Sequence, residues 1–272
     1  MTGAATQMPP PAKPRRWTAG RITGHVLVAL WAVAGGVLLL YLGQNVASPF
    51  VQRYWPNYVS GFWVTIQLVV LSIAAGALLS VPIALARSMR NPVVRGLAFA
   101  YVYFFRGTPL LAQTFLIYYG AGSFRDGLEA AGLWWFFRDA WYCILFAFTL
   151  NTSAYQAEIL RGAVENVPRG QWEGAMALGL PRPVIFFRII LPQALIVALR
   201  PYGNEIILMI KGSAIASIVT IFDLMGETRR AFSRSLDFQA YIWAAVLYLI
   251  IVETLRRVWD RLEARLTRHL AR

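Results

Sequence analysis

Four side chains able to carry charge or donate hydrogen bonds lie where the surrounding sequence is apolar: Arg106, Asn204, Glu205 and Lys211. Ionisable groups inside a hydrocarbon run are costly, so each needs a partner or a cargo. Glu205 and Lys211 stand six residues apart in one apolar run. On a helix that is about 9 Å of rise and about 120° of rotation. Helix-face neighbours are three or four residues apart, so these two are poorly placed to neutralise each other. A fixed lysine for a carboxylate and a fixed glutamate for a distal cation would match the two ends of a cationic amino acid. The alternatives are structural contacts to neighbouring helices, or a lysine snorkelling to the outer interface. Asn204 would add a hydrogen bond, to a solute or between helices. Arg106 precedes Gly107 and Pro109, where a helix kinks or opens. It satisfies freed carbonyls, pairs with an acid such as Glu158, or touches solute. Glu158 and Arg161 read as structural or interfacial.

A second kind of chemistry, docking, is written into the polar stretch 161–192. Residues 170–178 read as a short helix. Gln171, Glu173 and Gly174 face one way, and Trp172, Ala175, Met176 and Leu178 supply an apolar side. Gly179 can take a positive φ and end the helix. Pro181 and Pro183 prevent it from continuing. Such a helix suits a partner's groove or is an ordinary interfacial loop helix.

Other chemistries lack their residues. No G-x-x-x-x-G-K-[ST], G-x-S-x-G or H-E-x-x-H occurs, so the chain has no phosphate-binding loop or catalytic constellation of its own. The single Cys143 allows no intramolecular disulfide. His25 and His269 have no second ligand at metal spacing, so no cofactor or metal is expected in this chain.

The elements that would position these residues are membrane helices. The chain has 272 residues, is 58% hydrophobic and has a mean hydropathy of +0.52, too apolar for a soluble domain. Ten Trp, twelve Tyr and sixteen Phe fit interfacial belts as well as core. Six apolar runs cover about 26–42, 59–86, 96–119, 140–160, 195–222 and 241–257, the fifth kinked or broken near Pro201. Residues 1–21 read as a disordered basic cytoplasmic tail. Residues 22–57 form an extra N-terminal span with its periplasmic loop, and 258–272 a basic C-terminal tail. A signal peptide cleaved near Val46-Ala47-Ser48 is the alternative for the first run.

The net charge of +13 would suggest nucleic acid in a soluble protein; here it becomes a question of sidedness. With both termini cytoplasmic, the outer loops hold only Arg53, Arg125, Arg138, Arg229, Arg230 and Arg234. That obeys the positive-inside rule and puts 161–192 in the cytoplasm.

Several blocks carry a family resemblance. Glu173-Gly174-Ala175, Gly179 and Ile190-Leu191-Pro192 resemble the EAA loop of ABC-importer permeases, with Gly174 in place of the usual first Ala. Arg106-Gly107-Thr108-Pro109-Leu110-Leu111 is similar to a signature of the polar amino acid (histidine/glutamine-type) permeases. So are Ala154 to Ala163, Val167 to Glu173, Leu191-Pro192-Gln193-Ala194 and Gly203-Asn204-Glu205.

The resemblance implies an all-α integral membrane protein of the type I importer fold, with its permease domain over 58–257. It implies that Gln171, Glu173, Gly174, Ala175 and Gly179 form the coupling helix seated on a cytoplasmic ATPase dimer, which binds the ATP and Mg. A second permease subunit, identical or homologous, a periplasmic solute-binding protein, the bilayer and an amino acid substrate complete the partners, with no nucleic acid. The expected place is a bacterial inner membrane. The expected function is ATP-driven import of polar, and on the Glu205 argument cationic, amino acids or opines. The substrate set is Glu205, Lys211, Asn204 and Arg106. Import of neutral or acidic polar amino acids is the first alternative; an ion-gradient-driven transporter is the second.

Overall fold

The computed structural model describes residues 18–268, and among them every regular element is helical. The tail expected over 1–21 lies outside the described residues as far as residue 17, as do His269 and the last residues of the C-terminal tail. The chain divides after Arg53 into two compact units. The first unit contains α1 (Ala19–Asn45), capped by the Thr18 side chain, which accepts from the Arg21 N–H. No residue of α1 is buried, and it is long and apolar enough to cross a bilayer.

The second unit holds the remaining helices. Most of α2 (Pro49–Arg87) belongs to it, and this helix runs unbroken through Pro56 and Pro82. α3 (Pro92–Gly107) starts at an Asn91 cap with Pro92 in its first turn, the usual chemistry of a helix start. Thr108 and Pro109 are extended, and the chain resumes as α4 (Leu110–Gly122), so the third apolar run opens where its Gly and Pro predict. Two short helices, α5 (Arg125–Ala130) and α6 (Trp134–Phe137), lead to α7 (Ala140–Glu165). After α8 (Arg169–Ala177), α9 (Arg182–Val184) passes through a π-helical stretch, Ile185–Ile190, into α10 (Leu191–Gly212). A 3-10 segment, Ser213–Val219, follows, then α11 (Leu224–Ser235) and α12 (Gln239–Leu266).

Two features of these elements add to the sequence reading. α10 is not broken at Pro201; it continues through it, and the irregular turns lie at its two ends. The carbonyl that Pro201 cannot bond belongs to Val197. The segment from 258, read as a tail, continues α12 to Leu266. Ion pairs of Arg256 with Glu253 and Asp260, and of Arg257 with Glu253, brace that extension at helical spacing.

Among the described residues three helices are long and apolar enough to cross a membrane: Ala19–Asn45, Pro49–Arg87 and the continuous Arg182–Val219. The six apolar runs do not all qualify singly. The α3–α4 run is divided, and α7 carries Asn151, Thr152, Ser153, Gln156 and Glu158 along its length. α7 is the hub: α3, α4 and α10 pack on it, and α12 packs on α10. The core joins Leu68 and Val69 of α2, Ile144, Ala147 and Phe148 of α7, and Met209 and Ile210 of α10. A smaller cluster at the α8 end unites Ala163, Val167, Ala175, Ile185, Ile190, Ala194 and Ala198.

Candidate functional site

Glu205 lies on the face of α10 that packs on α7, with 5% of its surface exposed. Its Oε1 accepts a hydrogen bond of 2.8 Å from Thr152 Oγ1. Among the described residues it makes no salt bridge. Thr152 is completely buried and in turn accepts from Gln156 Nε2 at 3.0 Å. Gln156 Nε2 also donates to the Ile73 carbonyl of α2 at 3.2 Å, and Gln156 Oε1 accepts from the Tyr202 hydroxyl at 2.6 Å. Gly76 lets α2 come this close, because a Cβ there would overlap Thr152 Cγ2 and Gln156 Nε2. A buried carboxylate held by one neutral hydroxyl is an unfinished electrostatic site.

The other three residues expected to bind substrate go to different places. Lys211 is exposed in the last turn of α10 and makes no salt bridge among the described residues. Asn204 is exposed and lines a groove of about 300 Å³ with Arg200, Gly203, Ile207 and Trp259. The Gly203 backbone supports the Trp259 ring, whose Nε1 donates to the Leu199 carbonyl at 2.8 Å. Arg106, at the end of α3, approaches Glu158 Oε2 at 3.9 Å and lies over the Tyr155 ring at 5.2 Å. A pocket of about 310 Å³ is lined by Arg106, Arg87, Phe99, Tyr103, Tyr155 and Glu158. Glu158 is the anchor there, bound by Arg87 at 3.0 Å and Arg161 at 2.8 Å. Within one chain Arg106 acts electrostatically on Glu205 without a salt bridge to it, whereas Lys211 and Asn204 are exposed elsewhere.

The break between α3 and α4 has its own bracing, which the sequence reading missed. Gln113 Nε2 donates to the Phe105 carbonyl at 2.9 Å and to Thr108 Oγ1 at 2.7 Å. Asn151 Nδ2 donates to the same Phe105 carbonyl and to Gln113 Oε1, both at 2.9 Å. Two amides thus satisfy the opened turn, which leaves the Arg106 side chain to carboxylates: Glu158 at 3.9 Å and, at longer range, Glu205. The signal available was an amide four residues after Pro109 and another in the facing run.

α8 ends as its composition predicts. Gly179 has φ +72°, the Leu180 N–H donates to the Ala175 carbonyl at 3.3 Å and the Gly179 N–H to the Met176 carbonyl at 2.9 Å. This is a Schellman ending. Gln171, Glu173 and Gly174 are exposed and Ala175 is buried. Of the apolar side chains, Met176 and Leu178 are 49% and 80% exposed and Trp172 is half-buried, so this side is open in the single chain. A Cβ at Gly174 would meet open space, so packing does not require glycine there. Glu173 makes no salt bridge among the described residues, which leaves its charge available on the exposed face. Among them no group of three or more His, Cys, Asp or Glu is placed to hold a metal.

Comparison with known proteins gives these features a context. Residues 76–268 match the family described as binding-protein-dependent transport system inner membrane component. The nopaline transport system permease protein of Agrobacterium fabrum is 40% identical over 205 residues, which cover 75% of this chain and 85% of that one. The arginine ABC transporter permease protein of Haemophilus influenzae is 39% identical over 201 residues, 74% of this chain and 88% of that one. A crystal structure of an amino acid ABC transporter with histidines superposes with a TM-score of 0.70 at 32% identity, covering 79% of this chain and 96% of that chain.

Proposed function

The chain belongs to the family of binding-protein-dependent transport system inner membrane components, and from that premise we propose that it is the permease subunit of an ATP-driven importer of amino acids or opines. Within that class the proposed cargo is cationic at its distal end, an arginine-like amino acid or an opine derived from one. The observation that carries this is Glu205, a carboxylate buried between α7 and α10 with a threonine hydroxyl as its hydrogen-bond partner and no salt bridge. An unpaired carboxylate at membrane depth costs at least about 2.5 kcal/mol. A cationic solute relieves that cost only while bound. In this reading Lys211, Asn204 and Arg106 serve the rest of the solute from separate points of the assembled pathway.

The chain works as one of a pair of permeases in a bacterial inner membrane, with both termini in the cytoplasm. A solute-binding protein delivers cargo from outside. A separate ATPase dimer supplies ATP and Mg²⁺ chemistry from inside. The exposed face of α8, with Gln171, Glu173 and Gly174 beside the buried Ala175, seats in the ATPase and passes its closure to α7 and α10 through the small-residue cluster around Ala175. The helices then rock between outward- and inward-open forms. Reconstitution tests this: arginine uptake by proteoliposomes should require the ATPase and ATP. Uptake by the purified chain alone, driven by an ion gradient, would overturn it.

A further inference from the structure

We propose that Thr152, backed by Gln156 and Tyr202, is a positioning residue that sets the preference of this permease for cationic over neutral solutes. It does so by fixing the Glu205 carboxylate in one orientation. The inference rests on the reading of Glu205 as the cation-binding group.

The argument is one of hydrogen-bond direction. The Ile73 carbonyl can only accept, so the Gln156 amide must turn its nitrogen toward it, at 3.2 Å. The same nitrogen is 3.0 Å from Thr152 Oγ1, and the amide oxygen is left to accept from Tyr202 at 2.6 Å. A threonine hydroxyl has a single proton. Since Thr152 receives the Gln156 N–H, its own proton goes to Glu205 Oε1, at 2.8 Å. Tyr202, Gln156 and Thr152 therefore form a row whose donors all point toward Glu205, with its polarity set by a backbone carbonyl of α2. Tyr202 and Glu205 lie three apart on α10, and Thr152 and Gln156 four apart on α7, so each helix contributes one face to the row.

The consequence is an anchored carboxylate. Oε1 is engaged, and Oε2 has no hydrogen-bond partner among the described residues, so it can meet a guanidinium or ammonium group. Without the Thr152 hydroxyl the carboxylate would lose both its donor and its fixed rotamer. Gly76 belongs to the same device, because its bare Cα allows α2 to bring the Ile73 carbonyl within reach.

The test is direct binding of arginine and of citrulline, its neutral near-isostere, to the purified permease–ATPase complex without binding protein. The Glu205→Gln variant should abolish the preference for arginine. If it does not, the cation reading of Glu205 fails, and the inference fails with it. Where Glu205→Gln behaves as expected, Thr152→Val should lower the arginine-to-citrulline affinity ratio about threefold to tenfold, the cost of holding a carboxylate that no longer rests in one rotamer. Thr152→Ser should restore it. The loss should appear in affinity rather than in turnover. If Thr152→Val yields no folded complex, Tyr202→Phe decides, with an expected fall in the ratio of about twofold to threefold. A wild-type ratio in Thr152→Val, or in Tyr202→Phe where that variant decides, would overturn the proposal. So would equal losses for both solutes, the mark of a merely structural role.

Discussion

Glu158 and Glu205 lie on packed neighbours, α7 and α10, and both are largely shielded, yet they are compensated in opposite ways. Glu158 sits among Arg87, Arg106 and Arg161, at 3.0, 3.9 and 2.8 Å. Glu205 has a hydroxyl and no salt bridge. A carboxylate surrounded by fixed cations has nothing further to gain from a mobile one. A carboxylate held directly by a hydroxyl, with Arg106 acting on it only from beyond salt-bridge distance, gains from a cation that reaches it. The difference separates a clamp from a candidate binding group, which residue type alone does not do.

The sharpest way to break that contrast is to neutralise each glutamate in turn. Glu205→Gln should reduce arginine binding to the complex roughly 50-fold, the equivalent of about 2.5 kcal/mol, with citrulline nearly unaffected. Protein yield should hold, because the amide keeps the Thr152 hydrogen bond. Parallel losses for arginine and citrulline would make Glu205 structural, like Glu158.

Glu158→Gln should do the reverse. It takes the acid from Arg87 and the more distant Arg106, while Arg161 keeps Glu165 at 2.6 Å, so the expected loss is in stability, about 1–3 kcal/mol after allowance for the partly exposed partners. Thermal unfolding in detergent would report it as a lower Tm, while the arginine-to-citrulline ratio stays unchanged. A changed ratio at full stability would bring Glu158 and Arg106 into the solute site and erase the distinction.

A third variant asks whether selectivity is separable from coupling. Gly179 holds φ +72°, which a β-branched side chain tolerates at a cost of about 1–2 kcal/mol. Gly179→Val should lower substrate-stimulated ATP hydrolysis several-fold and leave the binding ratio at Glu205 intact. Glu173→Lys, on the exposed face of α8, should act in the same direction through charge alone. Normal co-purification and normal stimulation in both variants would remove α8 from the ATPase interface.

Much of this was legible along the chain because it is local. Gly107 and Pro109 announce the opening between α3 and α4, and Gly179 with Pro181 announces the end of α8. Apolar runs outline the helices. The charged pair Arg106–Glu158 could be named across distance because opposite signs announce each other; what could not be read is pairing that involves uncharged side chains. Glu205 and Thr152 are 53 residues apart, and Asn151 and Gln113 are 38 apart. An uncharged Thr or Gln carries no sign by which a partner might be guessed, so the row behind Glu205 and the amides at the α3–α4 break stayed hidden.

The smallest effect is expected at Lys211, and it bears on whether Glu205 works alone. Lys211 is exposed at the end of α10 and makes no salt bridge among the described residues, so removing it leaves no stranded anion in the chain. If it meets the α-carboxylate of the solute, the contact is solvent-screened and amounts to about 0.5–1 kcal/mol, or roughly twofold to fivefold in affinity. Lys211→Met should then weaken arginine and citrulline equally, because both carry that carboxylate. Agmatine, which is arginine without its carboxylate, should bind the variant and the wild type alike. Combined with Glu205→Gln, the two losses should add for arginine, as they do for sites far apart with no shared partner. A loss for agmatine in Lys211→Met would mean that Lys211 acts on the fold or on Glu205 and does not hold the carboxylate. No loss for any of the three solutes would leave Glu205 as the one charged residue of α10 that recognises cargo.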